Sequence, residues 1–158
     1  MSAMTDLTSS SLRAARARGN LHAAATAADW GATLLRVSLG AMWIAHALLK
    51  LLVFTLPGTA QFFDSVGFPG FLAYPVFAVE LLGGLMLVLG LYARQAALAL
   101  VPVMGAAMSV HLGNGWVFTS PGGGWEYPLF LAVASVAQWL VGDGAWALRR
   151  SGRFAPGD

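Results

Sequence analysis

The sequence predicts an all-α integral membrane protein: a four-transmembrane-helix bundle with a short interfacial helix and a Gly/Trp-rich extracytoplasmic loop. Three observations predict it. Hydrophobic residues make up 58% of the 158 and charged residues only 10%, whereas soluble domains carry roughly 25% charged residues. Apolar stretches near the ~20 residues needed to cross ~30 Å of hydrocarbon recur along the chain. Basic residues gather beside alternate connections and are missing from the others, as insertion with positive loops inside requires.

The elements follow in order. Residues 1–29 are rich in Ser, Thr, Ala and Arg (Arg13, Arg16, Arg18) and hold no apolar run long enough for a signal-peptide core, so they read as a cytoplasmic, poorly ordered basic tail. The first span, about 30–55, stops at Pro57-Gly58. Thr59 to Gly70 spaces Phe62, Phe63, Val66 and Phe68 around Asp64 and suits a short helix at the membrane interface. The second span, about 71–92, tolerates Pro75 in its first turn. A tight link through Ala93 and Arg94 makes an antiparallel hairpin with the third span, about 95–112, which Pro102 should kink. Residues 113–125 carry two turn signals around a β-prone run and predict a folded loop, with a small hairpin as one form. Trp116, Phe118 and Trp125 belong to its aromatic belt. The fourth span, about 126–148, ends at Arg149-Arg150, and 149–158 form a second cytoplasmic tail. Small residues at Ala41 and Ala45, Gly83 and Gly84, Gly105 and Ser109, and Ala134 and Ala137 predict close helix approaches.

Arg13, Arg16 and Arg18 precede span one, Arg94 joins spans two and three, and Arg149, Arg150 and Arg153 follow span four. Both termini are therefore expected inside a bacterial inner (plasma) membrane crossed several times. The same arginines account for the pI near 9.5, which argues for topology and against a nucleic-acid partner. With no cysteine, disulfide exchange, thiolate metal sites and iron–sulfur clusters are excluded. No haem or flavin motif appears, and His46 with His111 alone makes too weak a set to predict a metal site. The glycines of 113–125 lack the Lys-Ser/Thr of a phosphate-binding loop.

Ionisable residues inside the spans carry the functional signal, because each costs at least ~2.5–3.5 kcal/mol at mid-bilayer unless partnered. Counting from span midpoints at ~1.5 Å per residue, His46 falls ~5 Å and Lys50 ~10 Å to the outer side, Glu80 within ~5 Å of the centre, and His111 and Glu126 ~10 and ~15 Å outward. The five come from all four spans, as one shared pocket would require. Trp43, His46 and Lys50 share a face of the first helix, and Glu80 is the acid deep enough to meet Lys50 or His46. Plainer roles are open to them: Lys50 snorkelling, histidines satisfied within the core or loop, and Glu126 favouring the positive end of the helix it opens; a purely structural role suits Glu80 least, since no interface lies near it. In the inner half, Arg36 and Asp143 are placed to form a structural ion pair.

Leu35-Arg36-Val37-Ser38-Leu39-Gly40, then His46 with Lys50-Leu51, Phe62, Gly67-Phe68-Pro69, Glu80-Leu81-Leu82-Gly83-Gly84, Leu89-Gly90-Leu91 and Arg94 give the chain a pattern that resembles the DoxX family of small bacterial membrane proteins over about residues 30–148. His111-Leu112-Gly113-Asn114-Gly115-Trp116 resembles the loop of a proteobacterial branch. The resemblance implies a four-helix inner-membrane protein. Some members are linked to quinone-dependent oxidation, others to oxidative-stress defence, so fold transfers further than chemistry.

The leading expectation is a membrane subunit of a redox system that binds a quinone or similar ring. Glu80 and His46 would be its proton-handling (catalytic) residues, and Trp43, Lys50, His111 and Glu126 its ligand-binding residues. Quinone reduction takes two electrons and two protons, so apolar walls with protonatable groups are apt. The electrons would come from a soluble or membrane redox partner subunit. The alternative is a non-enzymatic membrane scaffold for a stress-response or redox complex, in which the polar cluster only holds helices together.

Overall fold

The structure, a computed structural model, describes residues 25–152; the expected basic tail at Arg13, Arg16 and Arg18 and the terminal Arg153 lie outside them. Among the described residues five α-helices follow one another: α1 Ala27–Leu48, α2 Leu56–Ser65, α3 Ala73–Leu89, α4 Ala93–His111 and α5 Glu126–Val141. Among the described residues no strand forms beyond a single bridge between Leu91 and Arg149. Three helical stretches, Ala27–Val53, Gly70–Leu89 and Ala93–Asn114, are long and apolar enough to cross a membrane, and Glu126–Val141 is a shorter apolar helix. These helices make a multi-pass membrane bundle.

The helix ends explain where each element starts and stops. A capping box opens α1: the Thr26 hydroxyl accepts from the Asp29 N–H at 3.2 Å and the Asp29 carboxylate takes the Thr26 N–H at 2.9 Å, so the helix begins three residues before Trp30. At its other end α1 widens into a π-turn over Leu49–Val53, closed by the Phe54 N–H on the Leu49 carbonyl at 3.0 Å. Thr55 then reverses the chain at φ 61 and ψ 153, a conformation costly for a residue with a Cβ, and its hydroxyl accepts from the Gly58 N–H to start α2. A short 3-10 turn, Gly70–Leu72, leads into α3. That turn is tied back to α2, because the Asp64 carboxylate accepts from the Gly70 N–H at 2.7 Å.

Packing runs α1 on α3, α3 on α4 and α4 on α5, with a lighter α1–α5 contact closing the bundle. The core sits at mid-bundle around Leu39, Trp43, Leu87, Leu100 and Leu131. The closest approach uses Gly40 and Gly84: a Cβ on Gly40 would lie 2.7 Å from the Gly84 carbonyl oxygen, and one on Gly84 3.0 Å from that of Gly40. Of the small residues singled out by sequence, Gly83 and Gly84 are used, but Ala41 and Ala45 are exposed and Gly105 faces open space. The seam on α1 lies one residue away, at Gly40.

Three further expectations are corrected. The 113–125 loop is not a hairpin: Gly115, Gly122 and Gly123 adopt positive φ, and these turn the backbone repeatedly instead of extending it. The loop is still held, by Trp125 N–H to the Gly115 carbonyl and Glu126 N–H to that of Trp116. The fourth helix stops at Val141 rather than at 148, because Gly142 and Gly144 adopt φ 105 and 72 and the chain folds back. Gly90 and Arg149 then share a hydrogen bond at 3.0 Å, and Tyr92 donates to the Arg149 carbonyl at 2.9 Å. Finally, Arg36 and Asp143 do not pair directly. Arg36 donates to the Leu87, Val88 and Ala145 carbonyls at 3.1, 3.4 and 3.3 Å, tying the end of α3 to the segment that follows α5. Asp143, beyond the end of α5, takes the Ser151 N–H and hydroxyl, each at 2.7 Å.

Candidate functional site

A cavity of about 740 Å³ opens at the end of the bundle covered by α2 and the 112–125 loop. Its walls are almost wholly apolar. Helix α2 supplies Phe62 and Phe63, the link after it Val66 and Phe68, α4 Val103, Met104 and Val110, and the loop Phe118. Six polar residues reach it: His46 from α1, Lys50 from the π-turn that ends it, Thr59 from α2, Glu80 from α3, His111 from α4 and Tyr127 from α5.

Lys50 and Glu80 form the centre. The ammonium donates to both carboxylate oxygens, at 2.7 and 2.9 Å, and among the described residues theirs is the only ion pair. Glu80 is 2% exposed and Lys50 17%, so the pair is largely out of reach of water and membrane surface alike. Neither charge is supportable alone at that depth. Lys50 lies on the π-turn, a local winding often found where a helix aims a functional side chain. One N–H of the ammonium is left over after the two bonds to Glu80.

The histidines have one ring nitrogen each engaged. His46 Nδ1 meets the Met42 carbonyl at 2.8 Å, one turn back on its own helix. His111 Nδ1 meets the Gly122 and Gly123 carbonyls at 3.0 and 3.1 Å, which ties α4 to the loop. The His46 ring stacks on Tyr127 with centroids 5.7 Å apart and planes 23° from parallel. The Tyr127 hydroxyl is buried and has no hydrogen-bond partner among the described residues.

Of the residues expected at the site, the fold brings together Glu80, Lys50, His46 and His111. Trp43 is not among them. It is 1% exposed within the central core, one turn closer to mid-bundle, where the helices have already closed on each other. Glu126 is also elsewhere: its carboxylate accepts the Phe118 N–H at 2.8 Å and borders a separate shallow groove with Trp116 and Phe130. There it pins the loop across the start of α5. Tyr127 was missed. Sequence offered it only as an aromatic at a helix start, and its part follows from α5 turning it toward His46. The use of α2 as a wall was missed too, although its phenylalanine spacing announced an apolar face. No group of three or more His, Asp or Glu among the described residues is arranged to hold a metal ion.

Comparison with known proteins agrees with this architecture. The family model DoxX matches residues 31–112, which span α1 to the end of α4 and hold Lys50, Glu80, His46 and His111. A Bacillus subtilis (strain 168) protein named "Putative oxidoreductase CatD" is 34% identical over 119 residues, covering 75% of this chain and 84% of that protein. No solved structure matches the chain. With a four-helix apolar bundle, the family pattern across its first three spanning helices and a relative aligned over most of both lengths, the chain belongs to the DoxX family.

Proposed function

We propose that this protein is the membrane subunit of a redox system and that it holds a quinone-like ring in the cavity between α1, α2, α4 and the 112–125 loop. One observation carries the proposal: a desolvated Lys50–Glu80 pair stands in the wall of an otherwise apolar chamber large enough for a ring. The name of the Bacillus subtilis relative supports an oxidoreductase role. The cavity end faces outward in a bacterial plasma membrane and both termini face the cytoplasm. In support, Arg94, Arg149 and Arg150 lie at the opposite end, and the two connections at the cavity end hold no Lys or Arg.

Each group then has a task. The free N–H of Lys50 donates to a ring oxygen, where negative charge collects as electrons arrive. Glu80 fixes that ammonium and exchanges protons with it, while His46 and His111 handle protons at the rim. Tyr127 flanks the ring beside His46. The apolar walls keep bulk water from the ring. Reduction of a quinone to its diol takes two electrons and two protons; the electrons come from a partner subunit, soluble or membrane-bound, that carries its own redox centre.

The test is mass spectrometry of small molecules extracted from gently purified protein. A ring compound near one equivalent is expected, lost in Glu80→Gln and depleted in His46→Ala. Absence of any such compound from the native protein, or its full retention in both variants, overturns the assignment. If instead a partner protein co-purifies with native and variant chains alike and no ring compound is found, the scaffold reading gains.

A further inference from the structure

The two cavity histidines are alike in a way that fixes what the site asks of its ligand. A carbonyl oxygen only accepts hydrogen bonds, so a ring nitrogen held 2.8–3.1 Å from one must carry the proton. In the neutral imidazole that leaves Nε2 as an acceptor, in His46 and in His111 both. The tautomers are set by backbone: Met42 lies one helical turn before His46, and Gly122 and Gly123 are presented by the loop folded over α4. Among the described residues neither Nε2 has a hydrogen-bond partner, and both residues border the same cavity.

We infer that the resting cavity takes its ring ligand as a hydrogen-bond donor, that is, in the reduced, aromatic-diol form, with Nε2 of His46 and of His111 as the acceptors. The inference rests on the ring-binding reading above and adds the oxidation state to it. A quinone brings only carbonyl oxygens, and a carbonyl placed against an imidazole lone pair sets acceptor against acceptor. A diol brings two O–H groups. Lys50, with one N–H to spare, is compatible with either form, since hydroxyl and carbonyl oxygens both accept. The histidines therefore decide between them. A group whose acceptor is left unmet in an apolar site weakens binding far more than a lost contact at a surface does.

The experiment compares durohydroquinone with duroquinone, an otherwise matched pair, binding to the full-length protein in detergent without oxygen. The diol is expected to bind about tenfold or more tightly, as one to two unmet acceptors imply. His46→Phe and His111→Phe should each shrink that ratio toward unity by weakening diol binding more than quinone binding. Equal affinities, or tighter quinone binding, overturn the inference and leave ring binding standing. Binding of neither overturns ring binding, and the inference falls with it. An independent measurement covers the case of a variant that does not fold. Long-range proton–nitrogen correlation spectra of histidine-labelled native protein at about pH 8, above the ordinary histidine range, should show both cavity rings protonated at Nδ1. Protonation at Nε2 in either ring removes the basis for the preference.

Discussion

Lys50 and Glu80 show how far a single pair of residues can be read ahead. The cost of leaving a charge alone at that depth predicts that Glu80 meets either Lys50 or His46, and the structure pairs it with Lys50 at 2.7 Å. The same cost makes a sharp test. Lys50→Met should destabilise by about 3–5 kcal/mol by stranding the carboxylate, while Lys50→Met with Glu80→Leu should recover most of that loss. Thermal melts in detergent read both, and ring binding should be absent from the recovered double variant. Arg36 was legible only as a charge needing partners. That those partners are carbonyls depends on where α3 ends, which its sequence marks weakly. Arg36→Met should therefore cost about 1.5–3 kcal/mol through loss of the charge-assisted bonds to the Leu87, Val88 and Ala145 carbonyls, although Leu87 keeps the Gly90 N–H and Ala145 the Thr33 hydroxyl as donors. Asp143, held by Ser151, should be undisturbed; if Ser151→Ala and Arg36→Met prove strongly non-additive in melting, the two sites are coupled after all.

At the scale of helices, hydropathy located every span, because a ~30 Å slab imposes length and apolarity on any segment that crosses it. What it did not locate were the contacts between spans. Gly40 and Ala41 are equally small, and only the rotation of α1 against α3 decides which one faces its neighbour. Substitution separates them: Gly40→Leu should drive the helices apart and lower stability by about 1–3 kcal/mol or more, with loss of the Lys50–Glu80 contact higher on the same helices. Gly105→Ala, whose new methyl meets nothing within 4 Å, should be neutral or stabilise by about 0.5–1 kcal/mol through helix propensity alone. Equal effects from the two changes would contradict the packing described. The end of α5 was misread for a related reason: apolar residues continue past Val141, and hydropathy does not weigh the left-handed turns that Gly142 and Gly144 permit. Tyr127 escaped because its partner, His46, is distant in sequence.

For the molecule as a whole, the arrangement of arginines predicts which end faces which compartment, and the absence of native cysteine makes the test direct. A membrane-impermeant maleimide added to intact cells should label Thr119→Cys in the loop over the cavity and leave Gly152→Cys unlabelled until the membrane is opened. Labelling of both in intact cells, or of Gly152→Cys alone, would invert or dismantle the topology on which an outward-facing cavity depends.

The early stop of α5 bears on the lipid around the protein. Sixteen residues rise only ~24 Å, short of the ~30 Å hydrocarbon thickness that its neighbours match. On that flank the remaining depth falls to the exposed Trp146 and Leu148 beyond the helix, or to a local thinning of the bilayer, the usual relief of hydrophobic mismatch.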